Sequence, residues 1–314
     1  MCEPIDFKKN AIEVSLNNIK TDKKLSETEI PASIKNEDKI NTSKLLTVLK
    51  EVESAIRSKN YQSVENHFTE DGYKVFLRLI KYGNAVIVRS VNYDFIKFEN
   101  SILARELPMK FTFTNRRTIL ENVVFTFEET NCKITSLAFS VSADLAKQII
   151  NQEVWNDYSK IAIINFIENY QTAYALERLD YLKDIFSDNA LIIVGRIVTP
   201  AHTIENKYIP PKIERVKLSK DQYMKNLEGV FKNQEYVNLK FSDISIMKQP
   251  KQDAKEIYGI AMQQDYFSAS YGDRGYLFLI VDLNNPNEPV IHVRTWQEEK
   301  YFDDDIGVYG FKDF

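Results

Sequence analysis

Apolar and polar positions sort most clearly between Ile257 and Trp296. There YGIAMQQDYFSAS, YLFLIVDL and VIHVRTW are separated by YGDRG and NNPNEP. Apolar runs cut by turn residues predict a three-stranded antiparallel meander. Upstream, Leu45, Val48, Leu49, Val52 and Ile56 recur at helical spacing behind Ser43, a residue type that caps helices. A short helix over 61–68 is expected next, then a break at Glu70-Asp71-Gly72 and a helix or strand up to Tyr82. Gly83-Asn84 is a hairpin signal, followed by a strand over 85–91. Residues 108–116 alternate apolar and polar, and 119–127 and 133–141 read as two further strands around a polar loop. Residues 143–158 form a helical connector with Ile149, Ile150 and Trp155.

From Asp157 a second long helix carries Ile163, Ile164, Ile167, Tyr170, Gln171 and Tyr174 on one face. A short helix over 176–186, a strand over 190–198 and a proline-bearing excursion over 199–217 follow. A helix over 220–231 and a strand over 237–247 then lead into the meander. This order occurs twice. HFTEDGYKVF at 67–76 lines up with IFSDNALIIV at 185–194, and VVFTFEETNCKITSLAFSV at 123–141 with LFLIVDLNNPNEPVIHVRT at 277–295. Two copies are too few for a solenoid and fit two similar α+β domains. The expected division is a polar arm or tether over 1–42, a first domain over 43–142, a connector over 143–156, a second domain over 157–300 and an acidic aromatic tail over 301–314.

Composition narrows the function classes. Of 314 residues, 41 are Lys or Arg and 45 Asp or Glu, a net charge of −4 that argues against a phosphate-binding nucleic-acid partner. No run approaches the roughly 18 apolar residues that a membrane-spanning helix requires. Cys2 and Cys132 are the only cysteines, and their placement does not suggest a structural disulfide. Cys2 stands directly ahead of a polar tether, as in a mature bacterial lipoprotein after signal-peptide removal. On that reading Cys2 carries a lipid anchor and the protein works at the cell envelope or in the periplasm. On the other, the cysteine is incidental and the chain cytoplasmic. Both stay open.

Long helix, short helix, a Phe-Ser-Asp type break, strand, short helix and long meander together resemble the nuclear transport factor two-like superfamily, also called SnoaL-like or the cystatin-like α+β roll. The likeness spans about 157–300 and, more faintly, 43–142. It implies two curved antiparallel sheets, each packed on a long N-terminal helix and leaving a cone-shaped pocket. YGDRGYLFLIVDL and VRTWQ also resemble a module of uncharacterised bacterial cell-envelope proteins. The superfamily hosts isomerases, dehydratases, transport factors and binding domains, so the fold does not fix the function.

Strand alternation offers one polar set. Gln263 and Asp265 share a face of the first meander strand, Tyr276 lies on the second, and His292, Arg294 and Trp296 share a face of the third. Pointing inward, Asp265 or His292 is a candidate general base, with Tyr276, Arg294, Trp296 and Gln263 as ligand-binding residues. Pointing outward, the same residues are ordinary cross-strand pairs, with Leu277, Leu279, Val281, Ile291 and Val293 as the helix-facing core. The purely aliphatic character of that second face favours the outward reading.

His67, His202 and His292 are far apart, so no metal site is expected. DLNNPNE at 282–288 lacks the central Gly of a calcium loop, and the glycines of 271–275 serve a hairpin rather than a phosphate cradle. No cofactor is indicated. The expected protein is a non-catalytic binding or interaction protein of the cell envelope, for a small molecule or protein partner. The rival is a small-molecule isomerase or hydratase with an Asp or His base in the second cone. A homodimer through a sheet face is a further expectation, which light scattering decides.

Overall fold

A computed structural model of the protein describes residues 42–152, 156–199, 202–204, 207–209, 212–249 and 256–298. The polar arm, Cys2, Trp155 and the tail over 301–314 lie outside these residues. Helix α1 (Thr42–Ser58) and a 3-10 turn (Tyr61–His67) lead into α2 (Glu70–Lys81). A first sheet follows, made of β1 (Asn84–Ile87), β2 (Asp94–Phe98), β3 (Ser101–Thr112), β4 (Thr118–Glu128) and β5 (Ile134–Phe139). Helix α3 (Ala143–Ile150) connects it to the long α4 (Asp157–Ala175) and short α5 (Leu179–Ile185). Then come β6 (Phe186–Thr199), β7 (His202–Ile204), β8 (Lys207–Ile209), β9 (Lys212–Leu218), α6 (Lys220–Asn233) and β10 (Val237–Lys248). The meander is β11 (Ile257–Ser268), β12 (Gly272–Asp282) and β13 (Val290–Gln297). The class is α+β, with two helix-packed sheets.

The second sheet runs β10-β11-β12-β13-β6-β9, and its one parallel pairing is β13 with β6. The first runs β1-β3-β4-β5, with β2 also on β3. Strands β4 and β12 are each 11 residues long and start 154 positions apart, which is the spacing between the blocks at 123–141 and 277–295. Phe68 bridges Ile134 in parallel, just as Phe186 pairs with Ile291.

There the likeness of HFTEDGYKVF and IFSDNALIIV ends. After Phe186 the chain continues as strand β6, whereas after Phe68 it turns into α2. Thr69 caps that helix, its side chain accepting from Gly72 N at 3.1 Å. Glu70 and Asp71 fill the first turn, where carboxylates favour the helix N-terminus. Gly72 is required because any Cβ there would strike the Ile134 carbonyl.

Three further expectations change. Strand 85–91 is shorter, and β2 with the first half of β3 goes unforeseen, because a bulge between Ala104 and Leu107 interrupts the alternation. Glu106 sits there at φ +87°. The excursion over 199–217 is largely β structure: β9 folds back on β6 as an edge strand, and β7 pairs with β8. The two sheets also share a helix. One face of the first sheet (Ala104, Phe111, Phe125) packs with α1 and α2. Its other face (Ile96, Phe98, Leu103, Val124) joins the core of α3, α4, α6 and the second sheet.

Helix α4 is therefore buried nearly all round, with 14 of its 19 residues inside, as expected of a helix whose apolar residues encircle the axis. Its polar residues lie at helical spacing and meet the first sheet. Gln171 Nε2 donates to the Phe139 and Ser140 carbonyls at 2.8 and 3.2 Å, and Thr172 Oγ1 accepts from Phe139 N at 2.7 Å. Glu168 accepts from Val141 N at 3.0 Å and takes both guanidinium ends of Arg105, on β3. Side chains of one helix thus satisfy backbone groups at and just beyond the end of edge strand β5. Glu121 on β4 meets Asn238 and Lys240 on β10 in a second link between the halves. No described helix is long and apolar enough to cross a membrane.

Arg105 and Glu168 are 2% and 1% exposed, so removing one charge leaves the other desolvated and unpaired. Glu168→Gln is expected to cost about 3–5 kcal/mol in urea denaturation, and the double replacement Arg105→Met, Glu168→Leu less, with a remainder of about 1–3 kcal/mol from the Val141 N–H left unpaired. A loss under about 1 kcal/mol for the single variant would contradict this role.

Candidate functional site in the second cone

Which way the polar positions of the meander face is settled by one extra residue. In β12 and β13, Leu277 lies opposite Trp296 and Leu279 opposite Arg294, but Val281 lies opposite Ile291. The register slips at His292, which has no cross-strand partner in the β12 pairing. Such a bulge inverts the facing of every later side chain relative to unbroken alternation. Ile291 therefore points at the helices with Val281, His292 is thrown outward, and Arg294 and Trp296 point inward beside Leu279 and Leu277. His292, Arg294 and Trp296 do not share a face, contrary to the simple alternation.

Asp265 lies opposite Arg274 and Gln263 opposite Tyr276, on the face away from the helices. Asp265 accepts from Arg274, with Oδ2 3.0 Å from Nη2, and Gln263 donates to Ser242 Oγ at 3.2 Å. Tyr276 is half-buried on that outer face and His292 is exposed. Of the six candidates, the structure places Arg294 and Trp296 in the cone and the other four outside it. Leu277, Leu279, Val281 and Ile291 are helix-facing core, as expected, while Val293, opposite Ile280, is not.

The cone is a cavity of about 330 Å³ between α4, α6 and the inner face of the second sheet. Leu227, Val230 and Phe231 of α6, Ile197 of β6 and Ile213 and Leu218 of β9 give it apolar walls. Trp296 supplies one side. Any Cβ at Gly195 or Gly275, on the neighbouring strands β6 and β12, would collide with its indole. Gly275 is thus a seat for Trp296, not a hairpin residue; the turn lies before β12, where Ser268 N donates to the Tyr271 carbonyl at 2.7 Å. A glycine inside a strand is a legible sign of such close approach. Tyr271 and Ile197, each 45% exposed, stand at the mouth.

Arg294 is 6% exposed against the central helix. Its Nε donates to the Tyr170 hydroxyl at 3.3 Å, and its guanidinium lies over the Tyr223 ring, 5.0 Å from the centroid. The hydroxyls of Tyr170 and Tyr174 are 3.0 Å apart, and those of Tyr174 and Tyr223 2.6 Å. Burial pushes the Tyr174 and Tyr223 phenols up, so both are neutral at pH 7. Among the described residues Arg294 forms no ion pair, and its Nη1 is buried without a hydrogen-bond partner. Gln264 Oε1 and Asp273 Oδ1, also lining the cone, are buried without partners as well.

Asp273 is the carboxylate that sequence reasoning missed, dismissed there as part of a turn. Its Oδ2 accepts from the Tyr271 hydroxyl at 2.8 Å. Burial raises its pKa, against the opposing pull of the Tyr271 hydrogen bond and the Arg294 charge. Among the described residues no cluster of three His, Cys, Asp or Glu side chains is placed to hold a metal ion.

A helix-packed α+β cone with polar groups on its inner face is the class of protein this geometry defines. A family model described as the Cds6 C-terminal NTF2-like domain matches residues 207–292, from β8 to the bulge in β13. A comparison with curated proteins returns no match. Among solved structures the chain is similar to nuclear transport factor 2 from Cryptosporidium parvum, at 8% identity over 46% of this chain and 97% of that one, with a TM-score of 0.32. It is similar to naphthalene 1,2-dioxygenase, at 8% identity over 52% and 89%, TM-score 0.35. Bdellovibrio bacteriovorus Bd1075 aligns at 10% identity over 66% and 79%, TM-score 0.34.

The raised Asp273 pKa has a consequence for stability. The folded state holds that proton to higher pH than the unfolded chain, so its contribution falls as pH rises above about 4. Asp273→Asn removes the penalty. The melting temperature of the variant minus that of the wild type is expected to grow between about pH 3 and about pH 7. A constant difference across that range would contradict a raised value.

Proposed function

We propose that the protein binds a small, largely apolar organic molecule in the second cone, without transforming it. The observation that carries this reading is the coincidence of an apolar cavity with three unpartnered buried polar atoms, Arg294 Nη1, Gln264 Oε1 and Asp273 Oδ1. Unpaired buried polar groups cost roughly 1–3 kcal/mol each, and a ligand that pairs them recovers that cost on binding. The cavity falls at the lower end of the range used for small ligands, roughly 300–1,000 Å³.

A second reading has one specific observation behind it. The raised, half-satisfied Asp273 carboxyl facing an apolar cone is suited to proton transfer in an isomerase or hydratase, with Arg294 stabilising negative charge on the reacting oxygen. Asp265 and His292, outside the cone, are not bases in this version.

A thermal-shift screen of small aromatic and alicyclic compounds on the whole chain tests both. A bound compound at hundredfold its Kd stabilises by about 2.7 kcal/mol. The binding reading expects such a shift in the wild type, its loss in Leu227→Trp, which fills the cone, and recovery of the compound unchanged. Turnover that disappears in Asp273→Asn while binding persists would favour the enzyme instead. A shift that survives Leu227→Trp would rule out this cone.

The cell-envelope setting and the reduced first copy of the domain are part of the same proposal, and rest on the sequence of 1–42 and on the paired strand pattern. The natural gene's upstream codons are expected to encode a signal peptide ending at Cys2, and expression from that full reading frame to give labelled-palmitate incorporation that Cys2→Ser abolishes. No incorporation would remove the anchor.

A further inference from the structure

We infer that the occupant of the cone is a monocarboxylic acid, with its carboxylate on Arg294 and its ring or alkyl body along Trp296. This rests on the cone being a ligand site, and adds the chemistry of the head group. Arg294 and Asp273 are the only charged side chains among the described lining residues. Arg294 is buried with one nitrogen unpartnered, its Nε bonded only to a phenol, and an aromatic ring under its plane. Asp273 feels the Arg294 charge but forms no salt bridge with it, and a desolvated guanidinium without a direct ion pair is costly; a ligand carboxylate matches its planar donor geometry.

The charge balance sets the valence. One cation neutralises one negative charge, and the cone supplies no second Lys or Arg for a phosphate dianion. Asp273, on the same inner face, would repel the additional charge. Register places the two poles apart: Arg294 lies opposite Leu279, whereas Asp273 lies opposite Tyr266 near the mouth. Asp273 and Gln264 each present an unpartnered oxygen, so a hydroxyl or amine on the far end of the acid is accommodated there. Between the poles the indole of Trp296, held flat by Gly195 and Gly275, offers an apolar surface for the body.

The test uses matched probes on the whole chain: 3-phenylpropionate, its neutral amide and phenethyl phosphate. Binding is followed by emission of Trp296 in a Trp155→Phe background, since these are the two tryptophans. The acid is expected to bind at least about tenfold more tightly than the amide, because only the acid pairs the buried guanidinium. The phosphate is expected to bind more weakly than the acid. In Arg294→Met the preference for acid over amide is expected to vanish. Equal binding of acid and amide by the wild-type site overturns the head-group assignment while leaving the cone as a site. Tighter binding of the phosphate overturns the single-charge argument. No Trp296 response to any probe, with binding detected by calorimetry and insensitive to Leu227→Trp, overturns the underlying cone reading instead. The acid–amide comparison needs no variant at Arg294, so it stands even if Arg294→Met fails to fold.

Discussion

The structure depends on burying α4 between two sheets. A helix in that position must hide apolar residues all round and still satisfy every polar group it carries. Glu168, Gln171 and Thr172 meet the condition on one side by bonding Arg105 and backbone groups at the end of β5. On the opposite side Tyr170 and Tyr174 join Tyr223 in a hydroxyl chain that ends at Arg294. One helix therefore fastens the first sheet and walls the cavity of the second. Disturbing either face disturbs the placement of the other, because the interior has no slack to absorb a shift.

The two sheets use this helix differently. The first is packed on both faces, by α1 and α2 on one side and by the α4 core on the other, and reads as scaffold. The second has its inner face only partly covered, and β9 with α6 completes a rim instead of a lid. Its parallel strand β6 is long enough to pair with β9, whereas Phe68 makes a single bridge to β5 before α2. The cavity with unpaired polar groups is walled by β6, β9 and α6, in the second half.

Much of this was legible in the sequence, and the failures have physical causes. The meander and α1 followed from periodicity, because those elements have one buried and one more open face, and α4 from its run of apolar residues. Two bulges hid the rest. The one at 104–107 concealed β2 and half of β3, and the one at His292 exchanged the inner and outer faces for Arg294 and Trp296. A single sequence carries no direct mark of a bulge. The indirect mark was present in Gly195 and Gly275, whose missing side chains leave room for a large ring, but Gly195 passed as an ordinary position of a predicted strand and Gly275 read equally well as a turn residue. Asp273 was overlooked for the same reason, being assigned to a turn that closes two residues earlier.

The central claim is that Arg294 is an unpaired cation waiting for a carboxylate in the second cone. It is read most directly from the guanidinium itself. In a nitrogen-15 spectrum, the Nε–Hε resonance that Arg294→Lys deletes can be followed during titration with 3-phenylpropionate. A saturable shift of that resonance with the acid, and little with the amide, is the predicted result. A resonance that stays fixed while the acid binds elsewhere would contradict it.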